Sequence, residues 1–96
     1  MRISDYEKNV IIDSVRNTDP NADIWLFGSR TDDSKKGGDI DIAILSEKIN
    51  EDIMQKIQVR RSICNRIGEQ KLDIVISKDG HEAFFRLAVE EGIQLK

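Results

Sequence analysis

The chain has little of several things, and each shortage narrows what it can be. Its 96 residues include one cysteine, Cys64, one proline, one tryptophan and one tyrosine, and aromatics make up 5% of the whole. A single thiol cannot build an internal disulfide framework, the usual support of small exported domains with thin cores. No apolar run is long enough to cross a bilayer, and the first residues do not read as a secretion signal. The chain is therefore expected in the cytoplasm, away from membranes. Nor is there an excess of positive charge. Fifteen basic and 18 acidic side chains give a net charge of −3, which argues against direct nucleic-acid binding, because such binders carry a basic face. Any polyanion held here needs a local cation. With 39% hydrophobic and 34% charged residues, one domain over 1–96 with a modest core is expected.

What is present has a clear order. Ser4 and Glu7 have capping-box spacing, and Val10, Ile11 and Val15 follow at helical intervals, so a helix is expected over about 4–17, ended by Asp19-Pro20-Asn21. The short apolar run Ile24-Trp25-Leu26-Phe27, closed by Gly28, reads as a buried strand. Residues 30–38 are polar and end in two glycines, a loop. Asp39 to Leu45 is a second strand. A helix over about 50–68 carries Ile53, Ile57, Cys64 and Ile67 on one stripe and stops at Gly68. Leu72 to Ser77 is a third strand. A last helix over 81–91 is expected to pack Phe84, Phe85, Leu87, Ala88 and Val89. The order αββαβα implies an α+β fold, with helices laid on one small mixed sheet.

The aspartates carry the chemistry. Strand side chains alternate, so Asp39, Asp41 and Ala43 share one face and Ile40, Ile42 and Ile44 the other. The two acids' Cα atoms then lie roughly 6.5–7 Å apart, close enough for both carboxylates to meet one ion. Aspartate is disfavoured in strands, and two on one face repel unless a cation intervenes. Mg²⁺ suits the arrangement, since it takes one or two carboxylates and completes its shell with phosphate oxygens. The helix over 50–68 is long enough to return the chain parallel to the second strand, which would set Asp73 beside Asp39 and Asp41. There it could touch the metal or take a proton from an attacking hydroxyl. The short 30–38 loop suits a hairpin-like connection, which brings Gly28-Ser29 to the same end of the sheet. Gly28 allows close backbone approach to an anion, and Ser29 can donate to phosphate oxygens.

Gly28-Ser29, nine intervening residues, Asp39-Ile40-Asp41 and a later strand aspartate, Asp73, resemble the polymerase-beta-type nucleotidyltransferase superfamily. The pattern is most similar to its small MNT (minimal nucleotidyltransferase) branch, the antitoxin-like domains that accompany HEPN partners. The likeness runs from the capped first helix to the ending Phe85-Arg86-Leu87-Ala88-Val89-Glu90-Glu91-Gly92. It implies a nucleotidyltransferase fold, a triphosphate held at Gly28 and Ser29, two Mg²⁺ ions on Asp39 and Asp41, and Asp73 assisting. It also implies ATP as substrate and a HEPN-type toxin protein as partner. The connection between Ser29 and Asp39 is one residue shorter than in many members, a departure that leaves the three acids untouched.

Other residues have plainer readings. Arg30, next to the serine, is divided evenly between a phosphate contact and an ordinary loop charge. Lys35 and Lys36 read as solvated, and so do Arg60 and Arg61 on the long helix. His81 reads as a capping residue, and Cys64 and Trp25 as core. The leading functional expectation is Mg²⁺-dependent transfer of a nucleoside monophosphate, AMP from ATP, to a hydroxyl on a partner protein. The alternative is a non-catalytic nucleotide-binding module that neutralises its partner by complex formation. A transferase acting on tRNA ends or an aminoglycoside is weaker, because the acidic chain has no evident region for such an acceptor.

Overall fold

The Ser4–Glu7 capping box forms as its spacing requires. In the computed structural model, which describes residues 3–28, 39–49, 53–69 and 71–96, the Glu7 N–H donates to Ser4 Oγ at 3.0 Å. Glu7 Oε1 in turn accepts from the Ser4 N–H at 2.9 Å. Two of the orphan donors of a helix start are thereby satisfied, and helix α1 runs Asp5–Arg16 with Val10, Ile11 and Val15 wholly buried. The chain then makes strand β1 (Asp23–Phe27), strand β2 (Ile40–Leu45), helix α2 (Ile53–Ile67), strand β3 (Leu72–Ser77), helix α3 (Ala83–Glu91) and a two-residue strand β4 (Ile93–Gln94). The sheet order is β3-β2-β1-β4. β2 is antiparallel to β1 and parallel to β3, so both strand pairings run in the expected directions.

Alternation divides the sheet into two unlike faces. Ile24 and Leu26 of β1, Ile40, Ile42 and Ile44 of β2, and Leu72, Ile74 and Ile76 of β3 point to the face covered by α1 and α2, where they form the main core with Val59 and Ile63. The opposite face carries Trp25, Phe27, Ala43, Leu45 and Val75, which pack with Phe85 and Ala88 of α3. Trp25 meets Phe85 edge-on, with ring centroids 5.8 Å apart at 88°.

Several details differ from the sequence expectation. β4 was not foreseen: Gly92 leaves α3 in extended backbone, and the chain pairs antiparallel with β1 through Trp25–Gln94 and Leu26–Ile93. A Cβ at Gly92 would lie 2.6 Å from the Ala88 carbonyl oxygen and 2.7 Å from that of Leu26, so only glycine fits where helix and strand close on it. Phe84 and Leu87 are not core; they are 49% and 55% exposed, because α3 buries one side only. On α2 the buried positions are Val59 and Ile63, while Ile57 is exposed and Cys64 and Ile67 pack from the margin; the Ile53 side chain lies outside the described residues. His81 does not cap α3, whose N-cap is Glu82; its own N–H is taken by Asp79 Oδ1. Arg60 is half-buried, and its guanidinium donates to the Leu72 carbonyl.

A buried polar knot ties the far end of β2 to the turn after α1. Ser46 Oγ donates to Asp19 Oδ2 at 2.5 Å and accepts from the N–H groups of Lys48 and Ile49. Burial pushes the Asp19 carboxyl up, but the Ser46 hydroxyl, the Asn21 N–H and the Lys48 charge hold it below its ordinary value. Ser46→Ala is expected to cost about 1–3 kcal/mol, since it strips a donor from a buried carboxylate. A depressed folded-state pKa contributes stability above the unfolded pKa, lost as pH falls through the folded one. Urea unfolding should therefore show the largest penalty near neutrality and a smaller one in acid.

Candidate active site

The acids gather at the uncovered end of the α3 face. α3 lies over the half of that face made by Trp25, Leu45 and Val75, and the opposite half carries Asp41 and Asp73. These two are direct register partners on adjacent parallel strands, so their backbones run about 4.8 Å apart and their side chains project the same way. Asp39 stands one residue before β2 rather than within it. Its carboxylate is 3.6 Å from Lys71 Nζ, and the backbone is anchored there by Ile40 N–H donating to the Lys71 carbonyl at 3.0 Å.

Asp41 bears the electrostatic strain of the group. Burial comes first, then a hydrogen-bonding contact with Asp73, then the charges of Asp73 and Asp39; together they push its carboxyl above the usual value, against an opposing pull from Lys71. A raised folded-state pKa means that the fold prefers this group protonated. The associated stability is fully present below the unfolded pKa and is lost as pH rises through the folded one. Asp41→Asn should consequently raise the melting temperature at neutral pH by about 2–5 °C, the scale of one relieved like-charge contact in a domain of this size. In acid, where wild type already carries the proton, the gain should vanish.

Gly28 closes the site on the β1 side. Phe27 pairs with Asp41, and Gly28 follows with φ +76. A Cβ there would fall 2.1 Å from Asp41 Oδ2, so the glycine is required both by its left-handed backbone and by the carboxylate over it. The expected neighbours Ser29 and Arg30, and Lys35 and Lys36 beyond them, lie outside the described residues. Sequence reasoning overlooked Lys71. Its signal was available: two residues before Asp73, it falls on the same strand face.

A hard cation fits this donor set. The candidate ligands are carboxylate oxygens that repel one another, and burial together with the neighbouring acids raises the pKa of Asp41. Among the described residues, however, no three His, Cys, Asp or Glu side chains already enclose a metal position. Asp39 leans instead on Lys71, so bound phosphate oxygens would have to complete the shell.

A mixed sheet with paired acids facing a glycine turn is an arrangement suited to phosphoryl-group chemistry. The model for the family described as Polymerase beta, Nucleotidyltransferase matches residues 9–96, and the chain belongs to that family. It is a nucleotidyltransferase domain. No curated protein matches the chain. Among the described residues no helix is long and apolar enough to cross a membrane.

Proposed function

We propose that the domain transfers a nucleoside monophosphate, AMP from ATP, to a hydroxyl on a partner protein in a Mg²⁺-dependent reaction. The observation that supports this best is the in-register pairing of Asp41 with Asp73 next to Gly28. Acids so arranged weaken the fold and are understandable where they hold charge for chemistry. Gly28 and the Ser29 that follows it receive the triphosphate, and Asp39, Asp41 and Asp73 are the magnesium ligands. When bound, the ions supply charge neutralisation at the transferring phosphoryl group. Asp73, on the side away from Gly28, takes the acceptor's proton as the hydroxyl oxygen bonds to the α-phosphorus and the bond to pyrophosphate breaks. The resemblance to MNT domains makes a HEPN-type toxin the proposed acceptor and this chain its antitoxin, acting in the cytoplasm.

The test is incubation of the purified protein with α-labelled ATP, Mg²⁺ and the product of the adjacent gene. Label on the partner, abolished by Asp39→Asn or by chelation, is expected; an unlabelled partner sinks the reading. A second reading, a non-catalytic module that neutralises by binding, draws on the Lys71–Asp39 ion pair, which already satisfies one of the acids. Full protection of cells by Asp39→Asn/Asp41→Asn would favour it.

A further inference from the structure

Outside the acidic site, a groove of about 730 Å³ lies between α2 and the approach to β3. Among the described residues it gathers Arg60, Arg61 and Lys71 against the single acid Glu69, with Ile57 and Cys64 forming an apolar strip. In a chain of net charge −3 this is a local reversal of sign. The groove wraps the sheet edge: Lys71 shares a face with Asp73, whereas Arg60 reaches from α2, on the other face. Backbone alternation turns the Leu72 carbonyl outward, because that of Lys71 accepts from Ile40 on the β2 side. Arg60 covers this outward carbonyl, blunting the edge. Arg61 is exposed and has no ion-pair partner among the described residues.

Lys71 places the groove on the β3 side of the acids, away from Gly28. Gly28 flanks Asp41 from β1 and Asp73 flanks it from β3, and in-line displacement brings the attacking oxygen from the side opposite the leaving phosphates. Lys71 joins groove to site through Asp39. Resting on the reading of the site as a protein-directed nucleotidyltransferase, we propose that this groove binds an acidic polypeptide segment of the acceptor and delivers its hydroxyl to Asp73. Charge complementarity selects the segment. Three cations beside Glu69 and an apolar strip suit a peptide better than a nucleic-acid backbone, which takes a longer run of basic side chains.

Amide NMR spectra of the full chain test this with three probes: a glutamate-rich peptide with one central tyrosine, its lysine-rich counterpart, and a single-stranded oligouridylate. The acidic peptide should shift amides within 57–71, weaken with salt, and bind about tenfold less well to Arg61→Glu. Arg61→Ala, a milder change at the same exposed position, should lose less. Absence of shifts with the acidic peptide, equal shifts with the lysine peptide, or tighter binding of the oligouridylate at these amides overturns the proposal. A Mg²⁺–ATP titration of the same samples separates the two readings. Lost ATP binding in wild type removes the nucleotidyltransfer reading and with it the acceptor role. ATP binding retained without peptide binding removes the groove alone.

Discussion

Gly28→Ala is expected to lower nucleotidyl transfer by at least about a hundredfold while the domain stays folded. Two separate penalties meet at this position. The left-handed backbone, φ +76, costs a side chain about 1–2 kcal/mol. The new methyl would also stand 2.1 Å from Asp41 Oδ2, so the carboxylate must leave its present position. Gly68 provides the control. Its φ is +92, yet a Cβ there would meet nothing within 4 Å. Gly68→Ala should show the backbone cost in thermal unfolding and keep its transfer rate. If both variants lose activity equally, the close approach of Gly28 to Asp41 has no functional meaning.

Asp41→Asn is the second large effect, and its two readouts move in opposite directions. Transfer measured as kcat/KM should fall by about a thousandfold, the scale seen when a charge-bearing group of a transition-state clamp is removed. Thermal stability at neutral pH should rise, because burial and the neighbouring acids disfavour the ionised form. Asp73→Asn should also relieve Asp41, and the double variant should lose little more activity than either single one, since side chains that act as a unit are not additive. A variant that loses both stability and activity would mean that Asp41 is a structural residue. Added Mg²⁺ and ATP should stabilise wild type and leave the Asp41→Asn melting temperature nearly unmoved.

Much of this was legible in the sequence because alternation and helical spacing are local. Ser4 and Glu7 announced the first helix, the Ile-Asp-Ile-Ala-Ile pattern sorted β2 into an acidic and an apolar face, and the intervening helix implied a parallel β3. Those features together set Asp73 beside Asp39 and Asp41, and the strand register makes Asp41 its direct partner. What escaped was decided by tertiary neighbours. Phe84 is the same residue type as the buried Phe85, and the exposed Leu87 is more apolar than the buried Ala88; only the side on which α3 meets the sheet separates them. β4 is two residues long and follows a helix directly, too short for periodicity to register. Arg60 looked solvated because its partner, the Leu72 carbonyl, is a backbone group that composition does not reveal. Lys71 stands just before β3, and its pairing with Asp39 depends on how two strands distant in sequence are aligned.

The alternation of β2 couples chemistry to folding more tightly than either requires alone. Ile40, Ile42 and Ile44 are fully buried, and Asp41 is interleaved with them. One inserted or deleted residue within β2 would therefore exchange the two sets, driving a carboxylate into the main core and isoleucines toward water. Such a lesion is expected to cost the fold together with the site. Side-chain replacement spares that pattern, and Asp41→Asn, expected to make the fold firmer, is a direct route to an inactive yet stable domain.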